Sequence, residues 1–117
     1  MAYDKVHRDD FETNGNWGLA RRSLGIKSFG INIVSIDAGD EIPEHDELDR
    51  DQEEVFIVLT GSPAIVIDGD EIPIETGDFV RVDPEHKRTI RNIGEVVSDV
   101  LIVSAPQTSG YVDMGWA

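Results

Sequence analysis

Side chains that can hold a divalent cation are concentrated between Gly39 and Asn92. His45 and Glu47 are two residues apart, so on an extended segment both side chains point to the same face. Glu54 follows on the next apolar stretch. Nitrogen and carboxylate oxygen donors suit divalent metal ions, and three of them in one place can form a site. The sequence therefore makes His45, Glu47 and Glu54 candidate metal ligands.

Short strands separated by turns would have to position these side chains. Most of the apolar stretches are rich in β-branched residues, and turn signals separate them. The predicted strands cover residues 29–36, 54–59, 64–67, 71–74, 79–82, 86–92 and 98–104. Asp68-Gly69 is a hairpin signal, and no stretch longer than a turn or two keeps a helical apolar period. We expect an all-β fold of two packed antiparallel sheets, a sandwich or barrel.

The second of these strands is apolar on both faces. Phe56 and Val58 point to one side, and Val55, Ile57 and Leu59 point to the other. A strand of this kind must be covered twice. One face would line the barrel interior, and the other would pack on a second sheet or a subunit. This pattern predicts a homodimer.

Composition excludes several classes of function. The chain has 117 residues, 39% of them hydrophobic and none of them cysteine, which fits one globular domain without disulfides or thiol chemistry. Ten Lys and Arg against 24 Asp and Glu give a net charge of −14. Nucleic acid and anionic membranes are therefore poor partners. The absence of a long apolar run and of an apolar leader predicts a cytoplasmic protein.

The acidity has two open explanations. Only three of the basic residues are lysines, and aspartate outnumbers glutamate. A surface of this kind suits a salt-rich cytoplasm, in which ions screen the repulsion, so a halophilic source is one hypothesis. An ordinary acidic protein is the other. Unfolding in low salt would support the first.

Two stretches resemble the two sequence motifs of the cupin family. Gly39-x5-His45-x-Glu47-x6-Glu54-x6-Gly61 is similar to the first motif. Residues 77–92 are similar to the second, and the spacer between the motifs carries the Asp68-Gly69 hairpin. The resemblance implies a single cupin domain over residues 1–117, a double-stranded β-helix or jelly-roll barrel with its core at about 30–104. Residues 1–18 would form an arm and 105–117 a tail, either disordered or folded as an aromatic lid over the barrel mouth.

The resemblance also implies a metal site with three histidines and one glutamate, typically for Mn, Fe, Ni or Zn. His45 matches the first histidine and Glu54 matches the glutamate. Glu47 stands in the second histidine position, and the gap to Glu54 is longer than usual. Arg88 stands in the third histidine position, where its permanently charged guanidinium cannot ligate a metal.

Three arrangements follow from these replacements. In the first, Arg88 points into the barrel and pairs with Glu47 or Glu54, so that no metal is needed. In the second, His45, Glu47 and Glu54 hold a metal ion and Arg88 grips a substrate carboxylate. In the third, His86 turns inward as the missing ligand. His45 could instead be an exposed loop residue, and His86 a turn residue.

The function expected from this pattern is binding of a small anionic metabolite in the barrel. Arg88, His86 and Phe56 are the candidate ligand-binding residues. The alternative is a metal-dependent isomerase or dioxygenase of a small organic acid that uses His45, Glu47 and Glu54. A dimeric structural domain with a decayed site is a third possibility. The fold alone does not decide among them.

Overall fold

Two antiparallel sheets contain almost all of the regular structure of the chain. The structure is a computed structural model that describes residues 2–117. In chain order, the strands and the one α-helix are β1 (Thr13–Asn14), β2 (Trp17–Gly18), α1 (Ala20–Leu24), β3 (Gly30–Ile36), β4 (Gln52–Thr60), β5 (Ala64–Ile67), β6 (Asp70–Pro73), β7 (Phe79–Val82), β8 (Arg88–Arg91) and β9 (Ser98–Pro106). Single 3-10 turns lie at Arg8–Asp10 and Leu48–Arg50.

The larger sheet has the strand order β1-β2-β3-β9-β4-β7, and the smaller has β6-β5-β8. Every neighbouring pair is antiparallel. The predicted all-β fold of two antiparallel sheets is therefore confirmed. The strands at 64–67 and 79–82 have the predicted bounds, whereas β4 and β9 are longer and β8 begins two residues later. No helix within residues 2–117 is long and apolar enough to cross a membrane.

The geometry of the turn between β5 and β6 explains why the hairpin at Asp68-Gly69 could be predicted from the sequence. Asp68 and Gly69 have φ values of 50° and 86°. A two-residue turn with positive φ at both positions matches the twist of the strands, and Asp-Gly tolerates it. Ile67 then pairs with Asp70 in register.

The hydrophobic core lies between the two sheets and explains the alternation along β4. Phe56 and Val58 point inward and are fully buried. Val55 and Ile57 point to the opposite side of the larger sheet and remain partly exposed. The strand is apolar on both faces, but only the inner face belongs to the core cluster.

The N-terminal region is more structured than the predicted arm. Strands β1 and β2 form a small hairpin, and β2 continues the larger sheet by pairing Trp17 with Val34. Helix α1 was not predicted, because a helix of five residues is too short to show an apolar period. It packs against β3 and ends at Gly25, whose φ is 69°.

We expect Gly61→Ala to destabilise the fold more than Gly77→Ala. Both glycines have φ above 90°, where an alanine costs about 1–2 kcal/mol. A Cβ at Gly77 would meet open space, but one at Gly61 would lie 2.8 Å from Ser98 Cα. Overpacking adds about 1–3 kcal/mol to the cost at Gly61. Urea unfolding of the two variants measures the difference, and equal losses would contradict the packing argument.

Candidate functional site

Backbone hydrogen bonds place His45 beside Arg88 at one end of the smaller sheet. The His45 N–H donates to the Arg88 carbonyl at 3.0 Å, and the Arg88 N–H donates to the His45 carbonyl at 2.9 Å. Glu54 lies on β4 in the opposite sheet, with the inward parity of Phe56. Both sheets therefore contribute to one polar cluster inside the barrel.

His45 lies between two buried carboxylates. Its Nε2 is 3.2 Å from Glu47 Oε1 and 3.5 Å from Glu54 Oε1. Its Nδ1 is 3.0 Å from the Pro43 carbonyl, which can only accept, so Nδ1 carries the hydrogen and Nε2 faces the carboxylates. The hydrogen bond to Glu54 raises the pKa of His45 above its usual value, and the charge of Glu47 acts in the same direction, while burial opposes them.

Arg88 is the largest fully buried side chain and is an ion-pair partner of Glu54. Its Nη1 donates to Glu54 Oε1 at 3.2 Å, and its Nη2 donates to the carbonyl of Asp83. The Arg88 side chain is 0% exposed. Its Nε is buried without a hydrogen-bond partner among the residues described. A guanidinium so deeply buried needs a carboxylate partner, and Glu54 supplies it.

Arg50 neutralises the second buried carboxylate, a contact that sequence reasoning missed. Its Nε donates to Glu47 Oε2 at 3.0 Å, and its Nη2 donates to Glu47 Oε1 at 2.9 Å. The two residues are three apart across the 3-10 turn Leu48–Arg50. That spacing is the signal that could have revealed the pair. Arg50 keeps 67% of its side chain exposed, although Glu47 is buried.

A cavity of about 540 Å³ opens at the same end of the barrel. Inward-facing residues of three neighbouring strands line it: Asn32 of β3, Gln52 of β4 and Ser104 of β9. Ser104 pairs in register with Glu54, so the cavity borders the cluster. The other lining residues are Arg21, Lys27, Ser28, Phe29, Gly30, Arg50 and Pro106.

The charge of this cavity is opposite to that of the chain. Three cations line it, and none of its lining residues is Asp or Glu. Within residues 2–117, six of the ten Lys and Arg side chains pair with a carboxylate, namely Arg8, Arg22, Arg50, Arg81, Arg88 and Arg91. Arg21 and Lys27 are not among them. The cavity therefore concentrates uncompensated positive charge in a chain of net charge −14.

A family model described as Cupin domain matches residues 32–104, more than half of the chain. The chain belongs to the cupin family. The resemblance of its two motifs is thereby confirmed. No curated protein shows significant sequence similarity to it.

Solved structures of proteins from other organisms share its fold. A cupin protein from Bacteroides fragilis matches with a TM-score of 0.80 at 25% identity, over 96% of this chain and 92% of that one. A protein from Photorhabdus luminescens matches with a TM-score of 0.68 at 16% identity, over 93% and 91%. An RmlC-like cupin from Methanocaldococcus jannaschii, with a double-stranded β-helix fold, gives 0.60 at 23% identity, over 67% and 70%.

The metal ion that the cupin fold implies fits the residues of this cupin poorly. Glu54 Oε1 already accepts from Arg88, and both oxygens of Glu47 accept from Arg50. Two carboxylates and two guanidinium groups cancel, so a divalent ion would add two uncompensated charges beside a buried arginine. The three donor groups of His45, Glu47 and Glu54 do lie within 4.8 Å of one another. The three groups are therefore close together, but the charges of the two carboxylates are already balanced by the two arginines.

Two of the predicted ligand-binding residues do not belong to this cluster. His86 lies away from it, and Phe56 lies inside the core. His86 Nδ1 is 2.6 Å from Asp68 Oδ2, and its Nε2 is 3.7 Å from Glu85. The arrangement in which His86 completes the metal site is therefore not the one that the structure shows. Phe56 is 0% exposed within the core cluster. Arg88 has the pairing of the first arrangement, with Glu54 as its partner.

We expect Arg88→Met to lower the free energy of unfolding by about 3 kcal/mol or more, because it leaves the buried Glu54 without its guanidinium partner. The double variant Arg88→Met/Glu54→Gln should recover most of that loss. Arg91→Met is the matched control on the same strand. Arg91 pairs with Glu41 and Glu71 at the exposed surface, and its loss should cost about 1 kcal/mol or less. Denaturant unfolding that gives equal costs for Arg88 and Arg91 would contradict the account.

Stability should fall as the pH rises through the folded-state pKa of His45. Because that pKa is raised in the folded protein, the stabilisation is complete below the unfolded value of about 6.5 and is lost as the pH rises from there through the folded-state pKa. His45→Gln should remove this part of the pH dependence, whereas His7→Gln at the exposed N-terminal turn should not. Unfolding measured from acidic to mildly basic pH checks this, and a His45→Gln profile parallel to that of the wild type would refute it.

Proposed function

We propose that this cupin binds a small organic anion in the cavity at the barrel mouth and does not turn it over. The observation that carries the proposal is the lining of that cavity, in which Arg21 and Lys27 have no carboxylate partner among the described residues and no lining residue is Asp or Glu. In a chain with 24 acidic residues, such a lining needs a reason. An anion that neutralises Arg21 and Lys27 supplies one.

The size and chemistry of the cavity support a small polar ligand. Its volume of about 540 Å³ is within the range of about 300–1,000 Å³ for small-molecule sites. The guanidinium of Arg21 can hold a carboxylate or phosphate with two parallel hydrogen bonds, and Lys27 adds a point charge. Asn32, Gln52 and Ser104 offer both donors and acceptors. A small hydroxylated carboxylic acid matches this set of groups.

The buried ion pairs support the site without contacting the ligand. Arg88 is fully buried and shares its guanidinium between Glu54 and the Asp83 carbonyl, so it is not available to a ligand in the mouth. Arg50 both lines the cavity and binds Glu47. The anion site would therefore lie beside residues of the barrel whose charges, those of Arg88, Glu54, Arg50 and Glu47, are already paired. This changes the recognition residues from Arg88, His86 and Phe56 to Arg21 and Lys27, with Arg50 as part of the wall of the cavity.

A metal-dependent isomerase or dioxygenase of a small organic acid is the second candidate. One observation favours it, namely that the Pro43 carbonyl aligns His45 so that Nε2 faces Glu47 and Glu54. An oriented imidazole beside two carboxylates is typical of metal ligands. The ion pairs with Arg88 and Arg50 oppose this reading. Binding of Mn²⁺ or Zn²⁺ that is lost in His45→Ala would put it ahead.

The anion proposal is tested by titrating the protein with glycolate, gluconate, citrate and inorganic phosphate at low ionic strength. We expect at least one probe to bind, with or without EDTA, and Arg21→Gln and Lys27→Gln each to weaken it about tenfold or more. Lys87→Gln is the matched control, because it removes the same charge from an exposed residue outside the cavity. Calorimetry gives the dissociation constants.

Two results would overturn the proposal. One is that none of the four probes binds to the wild type or raises its thermal stability. The other is that Lys87→Gln weakens binding as much as Arg21→Gln and Lys27→Gln, since this would show an effect of net charge alone.

A further inference from the structure

A second cavity, of about 450 Å³, adjoins the cavity at the barrel mouth. Ser28 and Phe29 line both of them. The other residues around the second cavity are Ala105, Ser109, Gly110 and Tyr111. None of these six lining residues is charged, whereas Arg21 and Lys27 line the cavity at the mouth. We call the first the mouth cavity and the second the neutral cavity.

Two aromatic side chains, those of Phe29 and Tyr111, line the neutral cavity and keep much of their surface exposed. Phe29 is 39% exposed and Tyr111 is 77% exposed. They come from distant parts of the chain, since Phe29 immediately precedes β3 and Tyr111 follows β9. Exposed aromatic surface on two segments around one neutral cavity suits a flat apolar group that contacts both rings.

Backbone hydrogen bonds after β9 hold Tyr111 at this position. The Gln107 N–H donates to the Asp51 carbonyl at 3.3 Å, which ties the segment to the residue before β4. The Ser109 N–H donates to the Pro106 carbonyl at 2.9 Å and closes a turn. The Tyr111 N–H then donates to Ser109 Oγ at 3.3 Å. The chain is therefore anchored as far as Tyr111.

The predicted aromatic lid over the barrel mouth is not formed. Neither Tyr111 nor Trp116 lines the mouth cavity. Tyr111 lines the neutral cavity beside it, whereas Trp116 is 82% exposed and lines neither cavity. The C-terminal segment therefore contributes one aromatic ring at the side of the mouth and not a cover above it.

The positive charges and the aromatic rings are within reach of one small molecule. Lys27 and Phe29 are two residues apart, so their Cα atoms are separated by at most about 7 Å. A carboxylate and a phenyl ring joined by two carbon atoms span a comparable distance. A hydroxyl group beside the carboxylate would stay in the mouth cavity, which Asn32, Gln52 and Ser104 line. Their side chains can donate to it and accept from it.

We propose that the ligand of this cupin is an aryl-substituted hydroxy acid, with its carboxylate on Arg21 and Lys27 and its ring against Phe29 and Tyr111. This inference rests on the proposed anion site and adds the neutral cavity to it. Burial of the ring and its contact with the two aromatic side chains stabilise the complex. Phe29 and Tyr111 are thus the residues that select for a ring, whereas the cations select for the negative charge.

Calorimetry with two matched probes, phenyllactate and lactate, tests the inference. Both carry the same carboxylate and hydroxyl, and only phenyllactate carries a ring. We expect phenyllactate to bind about tenfold more tightly or better, because its ring buries apolar surface in the neutral cavity. Phe29→Ser and Tyr111→Ser should each lower the ratio of the two affinities about three- to tenfold. Arg21→Gln should weaken both probes and leave the ratio unchanged.

Trp116→Ser and Phe79→Ser are the matched controls. Trp116 and Phe79 are 82% and 70% exposed, and they line neither cavity. Their loss should leave the ratio as it is in the wild type. Circular dichroism establishes that each variant is folded.

The outcomes separate this inference from the proposed anion site. Lactate or gluconate bound as tightly as phenyllactate, with binding still weakened by Arg21→Gln, would overturn the aryl assignment alone. Equal effects of Tyr111→Ser and Trp116→Ser on the ratio would also overturn it. If neither phenyllactate, lactate nor any of the four earlier probes binds, the anion site is wrong and the aryl assignment falls with it.

Discussion

The buried pair of Arg88 and Glu54 is the constraint on which the interior of this barrel depends. The Arg88 side chain is 0% exposed, and its charge is fixed at any physiological pH. Glu54 is its carboxylate partner, and the position of Glu54 on β4 ties the larger sheet to β8 of the smaller one. Arg50, which is itself mostly exposed, pairs with the buried Glu47. The polar interior is balanced by protein charges alone.

A feature of the fold could be predicted from the sequence when the interaction that determines it acts between residues close together in the chain. The Asp68-Gly69 hairpin and the strand alternation around Phe56 are visible because backbone conformation and pleat period act over a few residues. The cationic cavity was not visible, because it joins Lys27 after a one-turn helix to Ser104 on the last long strand. Nothing in the spacing of those residues indicates that they meet.

The candidate site could likewise be predicted from the sequence only in part. His45, Glu47 and Glu54 were expected to meet, and they do. Two roles were open for Arg88, namely pairing with a carboxylate or gripping a substrate, and a third arrangement made His86 the missing ligand. The pairing of Arg88 with Glu54 is seen only in the structure. Within the part of the chain that it describes, the structure also shows that Arg21 and Lys27 are the cavity cations without a carboxylate partner. The cupin fold is kept, while the residues that carry function are specific to this chain.

The central claim is that arginine–carboxylate pairs occupy the place of a metal ion. Elemental analysis of untagged protein, purified without chelators, tests it most directly, with His45→Ala measured in parallel. The account predicts a metal-to-protein ratio near zero for both proteins, unchanged after incubation with Mn²⁺, Fe²⁺, Ni²⁺ or Zn²⁺ and removal of the excess. A ratio near one for the wild type that disappears in His45→Ala would contradict it.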